Sequence, residues 1–131
     1  MTGIYALIRP DGGLEFRDGV PDQMCRDADS HHGAPAAFPI QRPAWGGNGL
    51  HGHVADTSAL DGGAYPPNRV AGPLLAALGG PDQYVFGNLT ICSSRTTPDT
   101  GEAILCGLTE AQQRLIQDVH ATVSKEAESA G

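Results

Sequence analysis

Apolar and polar residues trade places along the first turns of this chain in the rhythm of a strand. Ile4-Tyr5-Ala6-Leu7-Ile8-Arg9 is rich in β-formers, and Leu14-Glu15-Phe16-Arg17 alternates so that Leu14 and Phe16 share a face. Between them stands Pro10-Asp11-Gly12-Gly13. Asp-Gly between two strand patterns predicts a hairpin, because glycine accepts a tight turn without a Cβ clash. Asp18-Gly19 is expected to end the second strand. A short helix follows from Asp22, its cap after Pro21, to about His31. Ala36, Phe38 and Ile40 predict a short strand, which Pro39 confines to a sheet edge because proline cannot donate to a ladder. Prolines and glycines otherwise break up residues 20–50, which are expected to be irregular or mobile.

Residues 50–55 and Leu60 carry sparse strand character, and Asp61-Gly62-Gly63 is a turn. An apolar run from Val70 to Leu78 predicts a helix capped by Asn68 and stopped by Gly79-Gly80-Pro81. Pro73 within it predicts a kink or a later start. Tyr84 to Cys92 is the clearest strand pattern, with a bulge or close packing at Gly87. Ser93 to Gly101 reads as a polar loop and Glu102 to Cys106 as a short returning strand. Thr109 with Gln112 spells a capping box. Apolar positions 111, 115, 116, 119 and 123 then predict an amphipathic helix, with Leu115, Ile116, Val119 and Val123 facing inward.

The pattern describes an α+β fold. It has a small, mostly antiparallel sheet of four to five short strands, one short central helix and a C-terminal amphipathic helix. Residues 1–125 form one domain and 126–131 a disordered tail.

Composition narrows this further. The chain has 131 residues, and Leu, Ile, Val and Phe make up only about 20% of them. Gly numbers 18 and Pro 10, so a large core, a long-helix bundle and a coiled coil are all excluded. Acids outnumber bases 15 to 8, and the charge of −7 is spread without a long run. Binding to nucleic-acid phosphates requires a basic face, so direct nucleic-acid binding is not expected, nor is adsorption to an anionic membrane. The apolar runs fall far short of the roughly 20 residues that span a bilayer. The first residues lack the basic start and apolar stretch of a secretory signal. Cys25, Cys92 and Cys106 have no paired spacing, which predicts reduced thiols and a cytoplasmic setting.

Chemistry is sparse. His51-Gly52-His53 would place two imidazoles on one strand face, where a divalent metal could take both, with Asp56 and the His31-His32 pair nearby. No nucleophile elbow, phosphate-binding glycine loop or spaced Cys-His pair appears. Trp45, flanked by Pro43 and Gly46-Gly47-Asn48, is either a plug over the small core or an exposed anchor for a partner.

Residues 61–71, then Leu74-Leu75, then Tyr84-Val85-Phe86-Gly87-Asn88-Leu89-Thr90-Ile91 carry an Asn-x-x-Ala helix start followed by a Gly-Asn strand. With Arg9-Pro10-Asp11-Gly12, this resembles the domain-of-unknown-function 3846 family of small phage, plasmid and actinobacterial proteins, over residues 3–18 and 60–92. The resemblance implies a phage or mobile-element accessory context and no catalytic chemistry. The favoured reading is a small cytoplasmic accessory protein without a cofactor. It would bind another protein through a sheet edge or the loop of Trp45 and Asn48, with homo-oligomerisation left open. The alternative is a metal- or ligand-binding enzyme using His51, His53 and Asp56. A third reading, an acidic mimic of DNA, is weakened by the even spread of the acids.

Overall fold

The computed structural model describes residues 3–28, 35–41, 48–55, 66–81, 84–97 and 99–130. The first hairpin forms as its pattern predicts: β1 (Gly3–Ile8) pairs antiparallel with β2 (Leu14–Val20), and the Gly12 amide donates to the Arg9 carbonyl across the turn. β2 continues through Asp18-Gly19 to Val20, because Gly3 still offers a partner there. Then come α1 (Asp22–Ala28), β3 (Pro35–Gln41) and β4 (Gly49–Ala55). A two-residue strand β5 (Pro67–Asn68) leads into α2 (Ala71–Ala77). β6 (Val85–Phe86), β7 (Leu89–Thr96), β8 (Ala103–Cys106) and α3 (Glu110–Ala130) complete the chain.

The fold is α+β, with more strands than the four to five expected. The main sheet has six, in the order β2-β1-β7-β4-β3, with β8 also on β7; β5 and β6 make a second, two-stranded sheet. The described pairings are all antiparallel. β3 occupies an edge, the place in a sheet where proline is tolerated. No described helix is long and apolar enough to cross a membrane.

Three further expectations are corrected. Tyr84 to Cys92 is two strands, because Gly87 adopts φ 80° and the chain passes there from the small sheet to the large one. Ser93 to Thr96 is strand rather than loop: β7 is central, so backbone pairing with β4 and β8 outweighs the polar side chains. Pro73 makes no kink. It is the third residue of α2, where an amide would have no acceptor within the helix. Gly79-Gly80 then ends α2 as expected, their amides closing onto Ala76 and Leu75 carbonyls.

The capping box of α3 is reciprocal. Thr109 N–H donates to Gln112 Oε1 at 3.0 Å, and Gln112 N–H to Thr109 Oγ1 at 3.1 Å. The inward stripe runs through Ile116 and Val123, with Val119 half-buried. Leu115, expected inward, is 40% exposed, because it lies about 100° around the helix from Ile116. α3 continues to Ala130, past the boundary where a disordered tail was expected.

Register assigns the core. Ala6 faces Ile91 and Ile91 faces Gly52, so Ala6, Ile8, Leu50, Leu89 and Ile91 share the face beneath α2 and α3. Leu74, Leu75, Ile116 and Val123 pack onto it. The opposite face carries Tyr5, Leu7 and Cys92, which pack with Val20 and with Met24 of α1. Gly107 follows β8 and sits against the start of β1, where a side chain would stand 2.7 Å from the Gly3 Cα; only glycine fits. The Leu108 amide then donates to the Ile4 carbonyl at 2.8 Å.

Candidate functional site

The face under α1 holds most of the polar side chains of the central strands. β4 alternates, so His51 and His53 point to this face while Gly52 lies on the other, against the Phe38 ring. The two imidazole centroids are 6.0 Å apart with the rings tilted by 47°. On β7, Thr90 is the register partner of His53 and Cys92 that of His51; Ser94 lies opposite Gly49. Among the described residues, three buried polar atoms here have no hydrogen-bond partner: His53 Nδ1, Thr90 Oγ1 and Ser94 Oγ. Unpaired buried groups are rare because each forfeits its hydration, so three in one patch mark the region out.

Burial sets the protonation states. It lowers the pKa of His51, and it lowers that of His53 to about 4, with the neighbouring His51 adding to the effect. Both rings are therefore neutral near pH 7 and carry free lone pairs. Burial pushes the Cys92 thiol up to about 12, helped by Cys106 and Cys25; Cys25 is also raised, by burial and then by Asp22. Protonated thiols are weak nucleophiles. Tyr5 donates its hydroxyl to Asp27, and burial together with that bond raises its pKa. Asp27 also accepts from Arg17 of β2 at 2.9 Å, which anchors α1 over the sheet, and from Gln23 within α1 at 3.0 Å.

Of the sequence-derived candidates, His51 and His53 come together as expected. Asp56, His31, His32 and Trp45 lie outside the described residues. Among the described residues, no three His, Cys, Asp or Glu side chains are grouped to hold a metal ion. Asn48 donates its amide to Ser93 Oγ at 3.0 Å and so ties the start of β4 to β7. Thr90, Cys92 and Ser94 were not singled out in the sequence. Their signal is confined to the first half of β7, where Thr90 and Cys92 alternate with Leu89 and Ile91.

A second region lies across the molecule, around the small sheet. Pro67, Arg69, Pro73, Tyr84 and Phe86 line a groove of about 450 Å³. Tyr84 is 94% exposed, the most exposed large apolar side chain described. Arg69 is exposed and makes neither of the two ion pairs present among the described residues, Arg9–Glu15 and Arg17–Asp27. The wall beneath is fixed by Asn68, whose amide donates to the Ile8 carbonyl at 3.1 Å and the Gly87 carbonyl at 2.9 Å, while its oxygen accepts from Ala71 N–H. Comparison with protein-family models, with curated proteins and with solved structures finds no match to this chain.

Proposed function

We propose that this chain is a small accessory protein that acts by binding another protein, seating an extended, proline-containing acidic segment of that partner in the groove beside Tyr84. The observation that carries this reading is Tyr84 itself: a 94% exposed aromatic ring beside Phe86, Pro67 and Pro73. Exposed aromatic rings are costly to leave in water and are enriched among the residues that dominate interface energies. Aromatic and proline walls suit an extended segment whose backbone is already ordered, because little entropy is lost on docking.

Charge chooses the sign of the partner. The chain carries a net −7, yet among the described residues the one charged side chain lining this groove is Arg69. A carboxylate on the docking segment would meet that guanidinium, whereas a basic segment would meet repulsion there. The thiols of Cys25, Cys92 and Cys106 fit a reducing, cytoplasmic setting for this encounter, and the partial family resemblance suggests a phage or mobile-element context.

The test uses two synthetic peptides, each with a Pro-x-x-Pro core, one flanked by Glu and one by Lys. The acidic peptide should perturb the amide resonances of Tyr84, Phe86 and Arg69, and Tyr84→Ala should abolish the effect without moving the melting temperature. Arg69→Glu should reverse the preference between the peptides. If neither peptide perturbs these residues, the reading is wrong.

A further inference from the structure

We propose that His51 and His53 form a two-coordinate site for a soft monovalent metal ion, copper(I), on the face of the sheet under α1. The site is separate from the groove and does not depend on it. Three features of the geometry lead to this ion rather than to a divalent one.

The first is spacing. Two imidazoles held in line by one cation place their ring centres about 6 Å apart, because a metal–nitrogen bond is about 2.0 Å and a ring nitrogen lies roughly 1 Å from its ring centre. The observed separation is 6.0 Å. A tetrahedral ion would bend that line and draw the rings together. The 47° tilt is no obstacle, since linear ligation leaves each ring free to turn about its metal–nitrogen bond.

The second is donor number. Zinc(II) takes four ligands, at least three of them from protein, whereas the donors that the described strands bring to one face are these two imidazoles. A filled-shell monovalent ion such as copper(I) is satisfied by two nitrogen donors in line, and its softness suits imidazole and sulfur.

The third is the state of the donors and their surroundings. His53 is 3% exposed and its Nδ1 has no partner, so a buried ring nitrogen is left without a hydrogen bond. Cys92 is the register partner of His51 on the same face of the sheet. The unpartnered Thr90 and Ser94 hydroxyls lie along the same stripe. One positive charge is also easier to bury than two.

Imidazole ¹⁵N resonances of the 131-residue chain test this directly. Cys25→Ser and Cys106→Ser are introduced together, removing the two half-buried thiols as competitors. One equivalent of silver(I), a redox-inert ion of the same charge and ligand preference, should shift the ring nitrogens of both His51 and His53 and leave His120 in place. Zinc(II) at the same concentration should shift neither ring. His51→Gln, at a half-buried position, should weaken silver(I) binding about tenfold or more. The site is overturned if silver(I) moves neither ring, if zinc(II) moves both as strongly, or if His51→Gln leaves the silver(I) affinity unchanged.

Discussion

β7 serves both faces of the sheet, and its two sets of side chains obey different rules. Leu89 and Ile91 point toward α2 and α3, where Ala6, Ile8 and Leu50 join them in a dry core. Ser93 shares that side but is satisfied, its hydroxyl donating to the Gly49 carbonyl and accepting from Asn48. Thr90, Cys92 and Ser94 point toward α1, and there two hydroxyls and Nδ1 of the facing His53 go without partners. Residues one position apart on one strand are thus either optimised for burial or left with unspent hydrogen-bonding capacity. The contrast shows where stability is concentrated and where it has been given up.

The largest effect should come from breaking the dry face. Ile116 is fully buried on α3, so Ile116→Asp forces a carboxylate into the apolar core and should cost about 4 kcal/mol or more, enough to abolish the cooperative melt. Leu115→Asp, one residue earlier and 40% exposed, should stay within about 1 kcal/mol of wild type. Equal melting temperatures for the two variants would contradict the orientation of α3.

The opposite face should show itself in acid. His53 has its pKa lowered to about 4 by burial, against an ordinary 6.5 in the unfolded chain. The unfolded state therefore binds the proton first. The stability contributed by keeping His53 neutral is complete above about pH 6.5 and is lost as the pH falls toward 4, by about 3 kcal/mol in all. Denaturant titrations between pH 7 and pH 4 should show this slope, and His53→Gln should flatten it. A slope that persists in the variant would place the titration elsewhere.

The smallest effect should be a gain. Thr90→Val replaces an unpaired buried hydroxyl with a methyl group of similar shape, which should raise stability by about 1 kcal/mol. A measured loss would mean that the hydroxyl has a partner in solution.

Much of this architecture can be read from residue order, and the places where it cannot share a cause. The Asp-Gly hairpin, the capping box of α3 and the edge strand with Pro39 are local: neighbouring residues supply the whole signal. Ser93 to Thr96 carries loop chemistry but lies between β4 and β8, partners some 45 residues before it and about 10 after, which no local window contains. Leu115 was misplaced because adjacent apolar residues 115 and 116 both fit a helical stripe, and only packing against the sheet selects one. At the candidate site, His51 and His53 were legible from their spacing of two. The Thr90–Cys92–Ser94 stripe opposite them depends on register, and so does the convergence of Pro67 and Pro73 with Tyr84 and Phe86.

Asn68 has a consequence for how the molecule assembles. Its single amide group connects the end of β1, the crossover at Gly87 and the first turn of α2, segments 60 and 19 residues away from it and 3 residues ahead. The carbonyls of the N-terminal hairpin and of the Gly87 crossover hold Asn68 in place, so the groove wall is not complete as a local unit. Formation should instead wait on distant contacts, which slows folding in chains dominated by non-local pairing. In the finished molecule the same linkage means that amide exchange at Ala71 should require opening of the sheet rather than fraying of a short helix.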